Sequence, residues 1–185
     1  LCDWSSRRVL FRSHQDIALR AQVIELMIKA AKCCFDMGNL DTMLTICSVL
    51  SNSAIHRLKL TWARVSKRLP GKWEELQQQT GTGGRNLDKV QNNLQPPCVP
   101  CIGIILKHLI NIHEEPTFLE ENQLINVNKL RKAEKILQLM QQAMETPYLI
   151  HVDSSLVLML LSTPLYSTEE GCWQRSMELE PKKAT

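Results

Sequence analysis

The chain has 185 residues, 44% of them hydrophobic and 22% charged, with a net charge of +3. That length suffices for one domain with a real core. The charge is too small and its basic residues too scattered to argue for a nucleic-acid partner. No apolar run reaches the roughly 18 residues of a membrane span.

The amino-terminal segment, Leu1 to Arg8, is not a signal peptide, and the absence of an initiator Met reads as a fragment of a longer protein. Seven cysteines, Cys2, Cys33, Cys34, Cys47, Cys98, Cys101 and Cys172, make an odd set. That count, with several on apolar helical faces, fits reduced thiols in a cytosolic protein. Cys98 and Cys101 form a C-x-x-C spacing that can serve redox or zinc chemistry. It stands between prolines with no second pair, and small buried hydrophobes are the better reading.

The periodicity is helical almost throughout. Ile17, Val23, Ile24, Met27, Ile28, Ala31 and Phe35 recur at helical spacing over 16–37. Asp16 or Ser13 offers a cap and Gly38 a stop. Asn39 and Asp41 can cap a second helix, 42–50. Ser53 can cap a third, running through Ile55, Leu58, Trp62 and Val65 until Leu69-Pro70. A short fourth helix carries Trp73 and Leu76, and both Trp62 and Trp73 read as core. Thr80 to Arg85 is a glycine-rich loop; it lacks the terminal Gly-Lys-Ser/Thr of a phosphate cradle. Asn86 caps a short helix ending near Leu94.

Pro96, Pro97 and Pro100 stiffen an extended lead-in. A very apolar helix follows over 102–112, ending in His113-Glu114-Glu115. A turn at Glu115-Pro116 precedes a long amphipathic helix, 126–145, stopped at Thr146-Pro147. The pair reads as a helical hairpin over about 101–145, with an apolar shaft and a charged tip. Asp153 or Ser154 starts a short apolar helix, and Thr168 caps a last one before Pro181. No alternating stretch makes a convincing strand, and no repeat or internal domain boundary is visible. The expected fold is all-α, one irregular helical domain over 1–185 with a protruding hairpin.

The hairpin holds no nucleophile with a base and no metal cage. His108 and His113 are five apart, on different helix faces, and do not suggest a metal. No cofactor is expected. The chemistry such a hairpin suits is mechanical, wedging into a partner.

Several blocks together resemble the catalytic domain of Ras-family guanine nucleotide exchange factors, the RasGEF domain. They are Gly38 to Leu44, then Ser53 to Trp62 (like the family's S-A-I-x-R-L-K-x-T-W), and Pro96 to Pro100 with Gly103 after it. Leu124-Ile125-Asn126 with Lys129 and Arg131 is similar to the family's L-I-N-F-x-K-x-R, and Leu179-Glu180-Pro181 to its L-E-P ending. Order and spacing hold over about residues 4–181.

The resemblance implies an all-α domain that binds a small GTPase of the Ras, Rap or Ral class and expels its nucleotide without covalent chemistry. It implies that Ile110 occludes the magnesium position and that Glu114, one turn later, takes the place of phosphate contacts. By the same register Leu44, His56, Cys101, Lys107 and Lys132 fall at positions that meet the GTPase. The resemblance implies that Leu44 and His56 sit where the family lines a pocket for the GTPase switch 2 segment, and Ral-directed members tend to have histidine at the position of His56. Asn39, Arg57, Trp62, Pro100, Gly103, Asn126, Lys129 and Arg131 match motif positions that brace the scaffold.

Four positions depart from the family pattern: Cys101 replaces an aromatic ring, Lys107 a threonine, Glu115-Pro116 a glycine, and Val127 a phenylalanine. Trp4 aligns with a tryptophan well inside the family domain, so the first helices of that domain are expected to be missing. The alternative the departures imply is a RasGEF-like domain that binds a GTPase or adaptor without opening it.

Overall fold

The computed structural model describes residues 16–80, 85–119, 124–155, 157–158 and 168–181. Trp4, Ser13, most of the glycine-rich loop and most of the apolar segment after Ser155 lie outside the described residues. Nine α-helices are present among the described residues, and the only sheet there is a two-residue antiparallel ribbon. The all-α class therefore holds.

Helix α1 (Ile17–Asp36) buries Ala21, Ile24, Ile28 and Ala31, a stripe at helical spacing. Asp16 caps it, its Oδ1 accepting from the Ala18 N–H at 2.8 Å. Gly38, with φ of +73°, ends it. A Cβ at Gly38 would lie 3.3 Å from the Cys98 Cβ, because the proline-rich lead-in docks here. Leu40 N–H donates to the Val99 carbonyl at 2.9 Å, and Val99 N–H donates to the Gly38 carbonyl at 3.1 Å. The widely separated blocks around Gly38 and Pro96–Pro100 are thus joined by backbone hydrogen bonds.

Helix α2 (Leu40–Ser51) is capped by Asn39, whose Oδ1 accepts from Thr42 N–H at 3.0 Å. It packs along α1 and supplies Leu40, Met43, Ile46, Cys47 and Leu50 to the core. The most deeply buried side chains, Ile24, Ile28, Leu40, Met43, Ile46, Leu50, Leu58 and Leu76, come from α1, α2 and the segments that follow. Each such burial contributes about 1.5–3 kcal/mol.

The third helix expected over 53–69 is two: α3 (Ser53–His56) and α4 (Lys59–Arg64). Asn52 rather than Ser53 is the cap, accepting from Ala54 N–H at 3.0 Å. The break at Arg57-Leu58 is satisfied from far along the chain. Glu180 accepts from the Leu60 and Thr61 N–H groups, both at 2.9 Å, at the start of α4. Pro70 begins a helix instead of stopping one: α5 (Leu69–Thr80) carries it in its first turn, where a missing N–H costs nothing. Trp73 and Leu76 face the core from α5, and the Trp73 and Trp62 rings lie 6.1 Å apart.

Helix α6 (Arg85–Asn92) starts one residue before Asn86, whose side-chain amide donates to the Gln78 carbonyl at 3.2 Å instead of capping. The hairpin follows as α7 (Ile102–Glu114), β1 (Phe118–Leu119), β2 (Leu124–Ile125) and α8 (Val127–Glu145). Residues 154–155 and 157–158 are helical, in the region where a short apolar helix is expected. Helix α9 (Glu169–Leu179) is capped by Thr168, accepting from Gly171 N–H at 3.2 Å, and packs on α3.

Candidate functional site: the α7–α8 hairpin

Helix α7 has two faces. Ile104 and Ile105 turn into the body and are buried. On the other side Ile102, Leu106 and Ile110 follow one another at steps of four and are 57%, 53% and 58% exposed. Glu114, four residues further and also exposed, ends the helix. Steps of four keep these side chains neighbours on a helix surface. The result is an apolar stripe that terminates in a carboxylate.

The base of α7 is held by three contacts. Cys101 N–H donates to Gln91 Oε1 at 2.9 Å, Ile102 N–H donates to Asp41 Oδ1 at 3.4 Å, and Lys107 lies 3.6 Å from Asp88. His108 Nε2 is 3.5 Å from the other Asp88 oxygen. A small cleft of about 300 Å³ opens between α6, α7 and α8, lined in part by His108, Asn111 and Lys132.

The turn is built by the second motif. Asn126 caps α8, accepting from Lys129 N–H at 3.1 Å, and its amide donates back to the Pro116 carbonyl at 3.0 Å. Lys129 reaches across, donating to the carbonyls of His113 at 3.1 Å and Glu115 at 2.6 Å. These belong to the last turn of α7, whose carbonyls lack helical partners and carry the negative end of the helix dipole. Lys132 completes the junction with Glu115 at 2.6 Å. Asn126 and Lys129 therefore tie the two sides of the turn together.

The tip itself is greasier than the sequence reading has it. Phe118, Leu119, Leu124 and Ile125 form the ribbon and are all exposed. The short ribbon escapes the period-2 signal because only two residues pair on each side. Helix α8 buries none of its residues, and Val127, Leu130, Leu137 and Met144 are exposed along it.

The remaining site candidates are distributed as follows. Leu44 on α2 is half-buried against the core, and His56, the last residue of α3, is exposed. Lys107, Lys132 and Arg131 are exposed; Gly103 is exposed on the first turn of α7 and Pro100 is buried before it. Cys101 is in the core cluster and Cys98 is also buried, with its thiol pushed up from 9.0 by burial. No disulfide joins the cysteines among the described residues. Trp62 is half-buried and donates to the Ile55 carbonyl at 3.1 Å.

Arg57 braces α9. It donates to the Ser176 hydroxyl at 3.2 Å and the Glu180 carbonyl at 2.7 Å, and stacks over the Trp173 ring. Buried Glu180, Thr61 and Arg20 complete that cluster. Thr61 donates to Glu180 at 2.7 Å and accepts from Arg20 Nε at 3.2 Å. Glu180 and Thr61 were visible in the sequence only as members of family-like motifs, and Arg20 carried no local signal. Ile102 and Leu106 were missed as members of the exposed stripe, although their step of four to Ile110 could have placed them.

The family model described as the RasGEF domain matches residues 1–131. Ras-specific guanine nucleotide-releasing factor 2 of Danio rerio is 36% identical over 173 residues, covering 92% of this chain and 14% of that protein. Ras-specific guanine nucleotide-releasing factor 1 of Mus musculus is 34% identical over 174 residues, covering 93% of this chain and again 14% of that protein. A Rap guanine nucleotide exchange factor of Caenorhabditis elegans is 31% identical over 150 residues, covering 78% of this chain and 10% of that protein. The chain thus spans about a seventh of the length of the first two relatives. With the hairpin and its bracing residues in the order of the family motifs, the chain belongs to the RasGEF domain family.

Proposed function

We propose that this chain promotes GDP release from a Ras-subfamily small GTPase by inserting the α7–α8 hairpin at the nucleotide site. The observation that carries the reading is the exposed stripe Ile102, Leu106, Ile110 and Glu114 on a hairpin braced at its turn by Asn126 and Lys129. The names of the relatives, Ras-specific releasing factors and a Rap exchange factor, support a partner of the Ras or Rap class.

The physical logic needs no covalent step. A nucleotide held at about picomolar is bound by roughly 16 kcal/mol. Much of that comes from phosphate oxygens on backbone N–H groups at a helix N-terminus and from magnesium. Ile110 would exclude the metal, and Glu114 would compete for the donors the phosphate uses. Coupling is reciprocal, so incoming nucleotide weakens the grip of the exchange factor by the same factor and ejects it.

A second reading, binding without opening, is favoured by one observation. Lys107 is engaged with Asp88 and Cys101 is buried, so two positions expected to meet the GTPase are drawn toward the chain's own body.

Release of fluorescent GDP from Ras, Rap and Ral separates the two. Ile110→Ala and Glu114→Ala should each slow release about tenfold or more, on the order of 1.4 kcal/mol, with circular dichroism unchanged. Undiminished release in both variants would remove the hairpin assignment. A stable complex with every GTPase tested and no acceleration would favour the second reading.

A further inference from the structure

The hairpin leaves the body through α7, which buries two residues, and returns through α8, which buries none. After α8 the chain runs without helix to Asp153. From Met144 through Ser155 every residue is exposed except Tyr148. The Tyr148 hydroxyl donates to the Met37 carbonyl at 2.8 Å. Met37 is the residue that terminates α1, and its own N–H is bonded to the Cys33 carbonyl. Tyr148 lines an open cavity of about 720 Å³ together with Phe35, Leu94 and Pro97. Burial raises the phenol's pKa from 10.0, the Cys98 and Cys34 thiols add to this, and the Val99 backbone opposes it. The hydroxyl therefore keeps its proton at neutral pH and remains a donor.

We propose that Tyr148 is a positioning residue, clamping the return arm of the hairpin to the end of α1 and so setting the angle at which α7 presents Ile110 and Glu114. Its consequence for exchange rests on the function proposed above; the clamp itself does not. The contacts of α7 with Gln91, Asp41 and Asp88 all lie toward its first half. A lever held near one end can swing. Thirteen residues make α7 about 20 Å long, so a tilt of about 10° moves its far end by about 3.5 Å. A misplacement of about 1 Å at a reacting centre can cost on the order of a hundredfold in rate. A second attachment on the return arm removes that freedom.

The test uses the full chain, with a pair of spin labels introduced at exposed Lys29 and Asn128 through non-natural amino acids. The distance distribution should be narrow for the unaltered residue, broad for Tyr148→Ala, and intermediate for Tyr148→Phe, which keeps the ring and loses the donor. Release of labelled GDP should fall about tenfold in kcat for Tyr148→Ala with KM changed less than about threefold, and Tyr148→Phe should recover most of the loss. If Tyr148→Ala loses its helical signal, Tyr148→Phe against the unaltered chain decides the question in the same two measurements. A distribution as narrow in the variants as in the unaltered chain overturns the clamp, and a broad one with full exchange overturns its proposed consequence for exchange. If the unaltered chain releases nucleotide from no GTPase, the exchange reading fails, and the distances alone still decide whether Tyr148 holds the arm.

Discussion

Glu180 holds together more of the molecule than any other single acid among the described residues. Its two oxygens accept from the Leu60 and Thr61 N–H groups and the Thr61 hydroxyl, with Arg20 at 3.9 Å. Its backbone carbonyl accepts from Arg57. Only 7% of it is exposed. A carboxylate taken out of water is tolerated only with such a set of partners, and removing one side of a buried ionic group costs about 3–5 kcal/mol because the other side is left uncompensated. Glu180→Ala should therefore lower the urea midpoint by an amount equivalent to about 3 kcal/mol or more. A loss under about 1 kcal/mol would show that water replaces the carboxylate easily. The residue's place in the closing motif was readable in sequence. Its role was not, because its partners lie about 120 to 160 residues earlier and share no local pattern with it.

At the scale of elements, the hairpin turn depends on one lysine bridging two helices. Lys129 sits on the first turn of α8 and donates to the last carbonyls of α7, so α8 stabilises the C-terminal end of α7. Lys129→Met keeps the stem and removes the charge. It should speed amide hydrogen exchange in the last turn of α7 and around the ribbon by about five- to thirtyfold, on the order of 1–2 kcal/mol, leaving α1 and α2 unchanged. Equal exchange in both proteins would mean that the Asn126 contacts alone hold the turn. Helix positions were largely legible: apolar periodicity placed α1, α2, α7 and α8, and Asp16, Asn39 and Thr168 all cap as their residue types suggest. The failures share a cause. The break at Arg57-Leu58 and the inclusion of Pro70 in α5 were decided by which backbone groups find partners elsewhere, and periodicity does not report that.

For the whole molecule, stability and the candidate function occupy different parts. The deepest side chains belong to α1, α2 and their neighbours, whereas α8 buries nothing over 19 residues. Local opening follows buried contact. Native-state hydrogen exchange should therefore rank α1 and α2 as the most protected helices and α8 among the least, with α8 opening at a free energy several kcal/mol lower. Protection of α8 equal to that of α2 would show that the hairpin is part of the cooperative core. A part proposed to enter a partner is better kept off the core, since its movement then leaves the fold unchanged.

By itself the sequence determined the all-α class, the hairpin with its two helices, and the motif order that points to the RasGEF family. Those depend on spacing along the chain, which periodicity and caps record directly. Only the tertiary structure decided which face of α7 is free, that Glu180 closes the start of α4, that Cys101 turns inward, and that Tyr148 reaches the end of α1. Each of those depends on what a side chain meets across the fold, and the free energy of burial and hydrogen bonding is fixed by that neighbour rather than by position in the chain.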